Sequence, residues 1–154
     1  AELNMDAVID FASADDLDAM TDLLVGLFAR EHDFTPDPGR QRAGLARILA
    51  EPARARLFVA RLAGRVVAMA NVQIGLSTAE GGEVLMVEDV VVATDLRGRG
   101  IGRAILRHAL DWGAACGMTR ATLLTDHDNH AAQAFYASMG FTPSAMQVLR
   151  KRLD

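Results

Sequence analysis

A single cysteine, Cys116, stands in the 154 residues of this chain. That rules out an intrachain disulfide, leaves no companion thiol for a metal cluster, and suits a reducing compartment. No apolar run approaches the length of a membrane span, and Ala1 to Phe11 lacks the basic-then-apolar form of a signal peptide. The expectation is a cytoplasmic protein with no membrane partner. Positive charge is in deficit, with 16 Lys and Arg against 20 Asp and Glu and a formal net charge of −4, so no global basic field exists to draw nucleic acid. Repeats, low-complexity segments and linkers are also missing. With 51% hydrophobic residues the chain can bury a core of its own, and one domain over residues 1–154 is expected.

The patterning that is present gives an order of elements. Met5 to Phe11 reads as a first short strand, and Ser13 with Asp16 three residues on resembles a capping box. Leu17, Met20, Leu23, Leu24, Leu27 and Phe28 then form an apolar stripe that carries a helix to about Arg30. Asp37 is placed to cap a second helix, with Pro38 in its first turn and its end near Ala50. Arg56 to Leu62 and Arg65 to Leu76 read as paired antiparallel strands about an Ala63-Gly64 turn. After a loop over Ser77 to Gly82, Glu83 to Ala93 suits a central strand covered on both faces. A helix from Gly100 to near Gly117, a strand over Arg120 to Asp126, a helix capped by Asp128 or Asn129 and stopped by Gly140, and a last strand over Phe141 to Arg152 complete the chain. The order β-α-α-β-β-β-α-β-α-β describes a mixed α/β or α+β sheet.

The densest chemistry lies where the central strand runs into the third helix. Gly98, Gly100 and Gly102 bare backbone N–H groups, Arg97, Arg99 and Arg103 add charge, and the helix points its N-terminal dipole at an anion. A phosphate-binding NTPase loop requires a Gly-Lys-Ser or Gly-Lys-Thr ending, which is not present. A dinucleotide fingerprint requires G-x-G-x-x-G early in a parallel βαβ unit, whereas here the glycines alternate and the strand follows an antiparallel hairpin. A third reading is a glycine-rich connection that only lets helix and strand pack closely.

Arg97-x-x-Gly100-x-Gly102 after a valine-rich strand resembles the acyl-CoA signature of the GNAT acyltransferases. Asn129-x-x-Ala132-x-x-Phe135-Tyr136-x-x-x-Gly140-Phe141 resembles a second block of the same superfamily. The resemblance implies a GNAT-like fold, an open and mostly antiparallel sheet with helices on both faces, splayed between its fourth and fifth strands. It implies acetyl-CoA as co-substrate. Backbone groups of Val90, Val91 and Val92 would pair with the pantetheine arm as an added strand does. Arg97, Gly98, Arg99, Gly100, Ile101, Gly102 and Arg103 would cradle the pyrophosphate. Asn129 is similar to the family asparagine that contacts the carrier, and Tyr136 to the tyrosine near the thioester sulfur, whose role would be general acid.

Transfer of an acyl group from a thioester to an amine needs a neutral nucleophile, support for the carbonyl oxygen and a proton for the leaving thiolate. Glu88 and Asp89 sit mid-strand, where uncompensated charge is costly and burial raises a carboxyl pKa toward a useful value. Adjacent strand residues face opposite sides, so Glu88 is expected on the face of Val90 and Val92, and Asp89 on that of Val91. Glu88 is the first choice of general base and Asp89 the second. A backbone N–H between Val90 and Val92 can hold the oxygen.

Glu31, His32 and Asp33, between the first two helices, form either a solvated loop or an acidic rim for a cationic amine. His127 and His130 beside Asp126, Asp128 and Asn129 suggest metal ligands only superficially, and no metal is expected. His108 belongs to a helix surface or core edge. Cys116 has no histidine and acid constellation, which disfavours an acyl-enzyme. The leading reading is an N-acetyltransferase acting on a primary amine of a small molecule or peptide by direct attack. A non-catalytic acyl-CoA-binding or sensing module is the alternative. Homodimers are common among relatives, and the sequence does not decide the oligomeric state or the acceptor.

Overall fold

Ala63 and Gly64 both adopt positive φ, 50° and 80°, the backbone that a two-residue hairpin of the primed type requires. They join β2 (Ala55–Leu62) to β3 (Arg65–Ser77), with Leu62 opposite Arg65. The structure, a computed structural model, describes residues 7–31 and 34–154. Chain contacts divide it into two units, residues 1–124 and residues 125–154.

In the first unit β1 (Val8–Phe11), β2, β3, β4 (Gly82–Val92) and β5 (Ala121–Leu123) form one sheet in the order β1-β2-β3-β4-β5. Every pairing is antiparallel except β4 with β5. The helices are α1 (Leu17–Phe28), α2 (Pro38–Ala50) and α3 (Ile101–Ala115). Asp37 caps α2 as expected, its Oδ1 accepting from the Arg40 N–H at 3.1 Å. At the entry to α1 the Asp16 carboxylate accepts the Ser13 N–H at 2.9 Å and also takes a two-pronged bond from Arg61 of β2 at 2.6 and 2.7 Å.

Strand alternation sorts the core onto two faces. Leu57, Val59, Met69 and Val91 pack with Leu17, Met20 and Leu24 of α1 and Leu45 of α2. Between them Phe58 points the other way, to the rings of His108 and Trp112 on α3. On that face Ile101, Ile105, Leu106 and Ala109 are all buried. A Cβ on Gly113 would stand 3.4 Å from Leu85, so this glycine allows α3 to lie close against β4. Helices therefore cover both faces of an open sheet.

The second unit contains α4 (His130–Ser138). Asn129 caps it by accepting the Ala132 N–H at 3.1 Å, and Gly140, at φ 95°, follows its end.

Three expectations are revised. The last strand is not there: Phe141 to Arg152 forms no ladder, and Met146 and Leu149 lie 90% and 89% exposed. Strand structure requires a hydrogen-bonding neighbour and one buried face, and Pro143, the adjacent Val148 and Leu149 and the run Arg150-Lys151-Arg152 break the alternation that would supply that face. The strand expected over Arg120 to Asp126 shortens to Ala121–Leu123, because Asp126 already begins the turn into α4 by accepting the Asn129 N–H at 3.1 Å. Helix α1 stops at Phe28 rather than Arg30. Residues 1–6, including the expected strand start at Met5, lie outside the described residues.

Candidate active site and family

The register between β3 and β4 slips by one residue at the centre of the sheet. Val72 pairs with Val87 and Asn71 with Asp89, so Glu88 is an extra residue in a β-bulge. Strict alternation along β4 therefore breaks there. Glu88 is exposed, whereas Asp89 is partly covered on the face that carries α1 and α2. Of the two mid-strand carboxyls for which burial is expected, only Asp89 is covered. Burial lifts the Asp89 carboxyl to about 6, with the Glu88 charge pushing the same way and the Asn71 bond pulling it down.

Asn71, itself buried, donates from Nδ2 to Asp89 Oδ2 at 2.9 Å. Gln73 Nε2 donates in turn to Asn71 Oδ1 at 2.8 Å. The line Gln73–Asn71–Asp89 fixes the orientation of the carboxylate. Sequence reasoning missed Asn71 and Gln73. Their only signal was two amides in an otherwise apolar strand.

The bulge also marks where β5 parts from β4. The two strands pair only through Leu85, Met86 and Val87, while Val90, Val91 and Val92 pair with Ala70, Met69 and Ala68 of β3. Beyond Val87 the β5 side of β4 carries no ladder among the described residues, and an extended ligand can add there as a strand.

At the end of β4 a short turn, Thr94–Leu96, is anchored by buried Leu96. Arg65 clamps Asp95 with two bonds of 3.0 and 3.1 Å. The chain then passes through Gly98 at φ 77° and Gly100 at φ 82°, a left-handed backbone that glycine reaches without Cβ strain. Gly100 is the N-cap of α3, and the first bond of the helix runs from the Ala104 N–H to the Gly100 carbonyl at 3.0 Å. The N–H groups of Ile101 and Gly102 precede that first bond, and a helix start of this kind suits an anion. Arg97 and Arg99 lie exposed on the loop, and Arg97 Nε reaches the Val92 carbonyl at 3.5 Å. Arg30, just past α1, joins this positive group. Its own burial and the like charge of Arg97 push its pKa down. A bare strand edge leading into a cationic, glycine-lined helix start fits an extended carrier that ends in a diphosphate.

Beside Asn71 a cavity of about 200 Å³ opens between α1 and α2, lined by Leu24, Phe28, Leu45, Ile48 and Arg40 among others. In the second unit Tyr136 is half-buried, with Phe135 and Phe141 at ring distances of 5.3 and 5.9 Å. The Asn129 side chain is engaged as the α4 cap. His127 and His130 are exposed, and no group of three metal-ligating side chains occurs among the described residues. His32 and Asp33 lie outside the described residues. Among those described, no helix is long and apolar enough to cross a membrane.

Residues 17–141 match the acetyltransferase (GNAT) family. The fold is similar to that of a possible acetyltransferase from Clostridium difficile 630, at TM-score 0.87 and 19% identity over 96% of this chain and 98% of that one. An aminoglycoside N-acetyltransferase solved in complex with CoA is similar at TM-score 0.81 and 18% identity, over 96% of this chain and 95% of that one. A mycothiol acetyltransferase from Beutenbergia cavernae is 44% identical over 50 residues, 32% of this chain and 17% of that protein's length. The chain thus spans a small part of that curated relative. A family match over most of the chain leads to one conclusion: the chain belongs to the acetyltransferase (GNAT) family.

Proposed function

We propose that the chain is an N-acetyltransferase that moves the acetyl group of acetyl-CoA to a primary amine of a small molecule or peptide in one direct attack, with Asp89 as general base. The observation that carries this reading is the covered Asp89 carboxyl, lifted to about 6 and held by Asn71 where β4 leaves β5. At neutral pH such a group is mostly ionised yet basic enough to accept a proton from an ammonium or attacking amine. Glu88, next in the chain and exposed, is the second choice.

The remaining roles follow from the chain's own groups. Val90, Val91 and Val92 offer backbone groups to the extended arm, and one of their N–H groups holds the carbonyl oxygen as negative charge builds on it. Gly98 and Gly100 let the loop turn so that Arg97, Arg99, Arg103 and the N–H groups of Ile101 and Gly102 meet the diphosphate. Asn129 sets the start of α4, and Tyr136 donates the proton to the leaving thiolate, a role supported by the family block it belongs to. The family match crosses both units, which supports reading the chain as one acetyltransferase domain.

The test is release of free thiol from acetyl-CoA in the presence of an amine panel. Amine-dependent release that falls about 100-fold in Asp89→Asn, and a Tyr136→Phe variant whose turnover drops while acetyl-CoA affinity holds, are the expected results. Full turnover in Asp89→Asn together with loss in Glu88→Gln would move the base to Glu88. Binding of acetyl-CoA without amine-dependent release would instead leave a non-catalytic acyl-CoA-binding module.

A further inference from the structure

The transfer reaction does not specify what the cavity between α1 and α2 accepts, but its lining does. Four of its side chains, Leu24, Phe28, Leu45 and Ile48, are hydrocarbon, and Arg40 is the one ionised group among the described lining residues. Helix α2 carries Arg40, Arg42 and Arg47 and no acid. Arg42 is bonded to Asp18 at 3.1 Å and Arg47 to Glu51 at 2.7 Å. The Arg40 side chain is 81% exposed, with Asp37 at 3.6 Å. At the sheet, Asn71 reaches the cavity, and Asp89 lies one hydrogen bond from it. The site thus offers the Asn71 amide at the sheet, one hydrogen bond from the Asp89 carboxylate, apolar walls along α1 and α2, and a cation in the first turn of α2.

We propose, resting on the transfer reaction above, that the acceptor is a monoamine with an apolar stem and a single carboxylate. Its ammonium points to Asn71 and Asp89, its apolar stem lies on the four hydrocarbon side chains, and its carboxylate meets Arg40. The same chemistry disfavours polyamines and aminoglycosides. Their further ammonium groups would be set against Leu24, Phe28, Leu45 and Ile48 or brought up to Arg40, with no carboxylate among the described lining residues to receive them. Along α2 the lining runs from Arg40 to Ile48, a rise of about 12 Å, which suits a stem of several carbons.

A matched set of amines tests this: 8-aminooctanoate, octylamine and 1,8-diaminooctane, compared by thiol release at fixed acetyl-CoA, with thermal stabilisation by acetyl-CoA measured alongside. The expected kcat/KM for 8-aminooctanoate is at least tenfold above the other two, and Arg40→Gln brings it down to the octylamine value. Gly44 also lines the cavity, and a Cβ built there meets nothing within 4 Å. Gly44→Leu therefore fills the space and raises the KM for 8-aminooctanoate at least fivefold. Preference for the diamine, a ratio indifferent to Arg40→Gln, or a KM indifferent to Gly44→Leu overturns the assignment. Stabilisation by acetyl-CoA with no turnover of any of the three amines overturns it as well. If acetyl-CoA neither stabilises the protein nor loses its acetyl group to any amine, the transfer reaction itself fails and the acceptor assignment falls with it.

Discussion

Asp89 owes its chemistry to its neighbours. Burial and the Glu88 charge raise its pKa from an ordinary 3.8 to about 6, against the pull of Asn71. If it is the base, kcat/KM rises with pH through about 6, and Asp89→Asn flattens that limb of the profile. Asn71→Ala removes the bond that favours the ionised form, so the limb moves to higher pH, which a pH–rate series measures directly. Stability carries the opposite sign. Between about 4 and 6 the folded state holds a proton that the unfolded chain has released, so stability falls as pH rises through this window. Asp89→Asn removes that fall and gains on the order of 2 kcal/mol over the parent above pH 6, read by denaturant unfolding at several pH values. Two adjacent carboxylates in a valine-rich strand were visible in the sequence. Which one is covered was not, because a strand alone has period two and the slip at Glu88 arises only from pairing with β3.

Elements carry local signals, and most of these elements are where those signals put them. The Asp37 cap with Pro38, the Ala63-Gly64 turn and the Gly100 helix start each depend on residues close together in the chain. Gly98 illustrates the physics: an alanine would meet no neighbour within 4 Å, yet at φ 77° it costs roughly 1–2 kcal/mol in backbone strain. Gly98→Ala is therefore expected to lower Tm slightly and to weaken acetyl-CoA binding more, as titration calorimetry would show. The seam between α1 and β2 is of another kind. Asp16, with its side chain 4% exposed, is held by Arg61, whose hydrogen bonds keep its pKa below the ordinary value. That contribution is present above about pH 4 and disappears as pH falls through the depressed pKa. Asp16→Ala is expected to cost about 3 kcal/mol, with the difference from the parent shrinking in acid. The missing last strand is the counterpart. Its residues offered apolar content but no clean alternation, and a strand exists only with a partner beside it.

At the scale of the molecule, ligand and fold are linked. A site that binds acetyl-CoA only when folded gains about 2.7 kcal/mol of stability at a ligand concentration 100 times Kd, and a thermal-shift series against acetyl-CoA concentration measures it. A flat series would contradict binding at the Gly98–Gly100 turn. The sequence by itself determined the order of strands and helices as far as α4, the glycine and arginine loop, the Asn129–Phe141 block and hence the family, because each is written in residues a few positions apart. Tertiary structure alone decided that Asp89 rather than Glu88 is covered, that Asn71 and Gln73 orient it, that Arg30 comes up to Arg97, and that an apolar cavity with one arginine opens beside Asn71. The reason is physical: periodicity and capping act within one or two turns of chain, whereas a bulge, a desolvated carboxyl or a cavity wall is made by segments that meet only after the sheet has paired and the helices have packed on it.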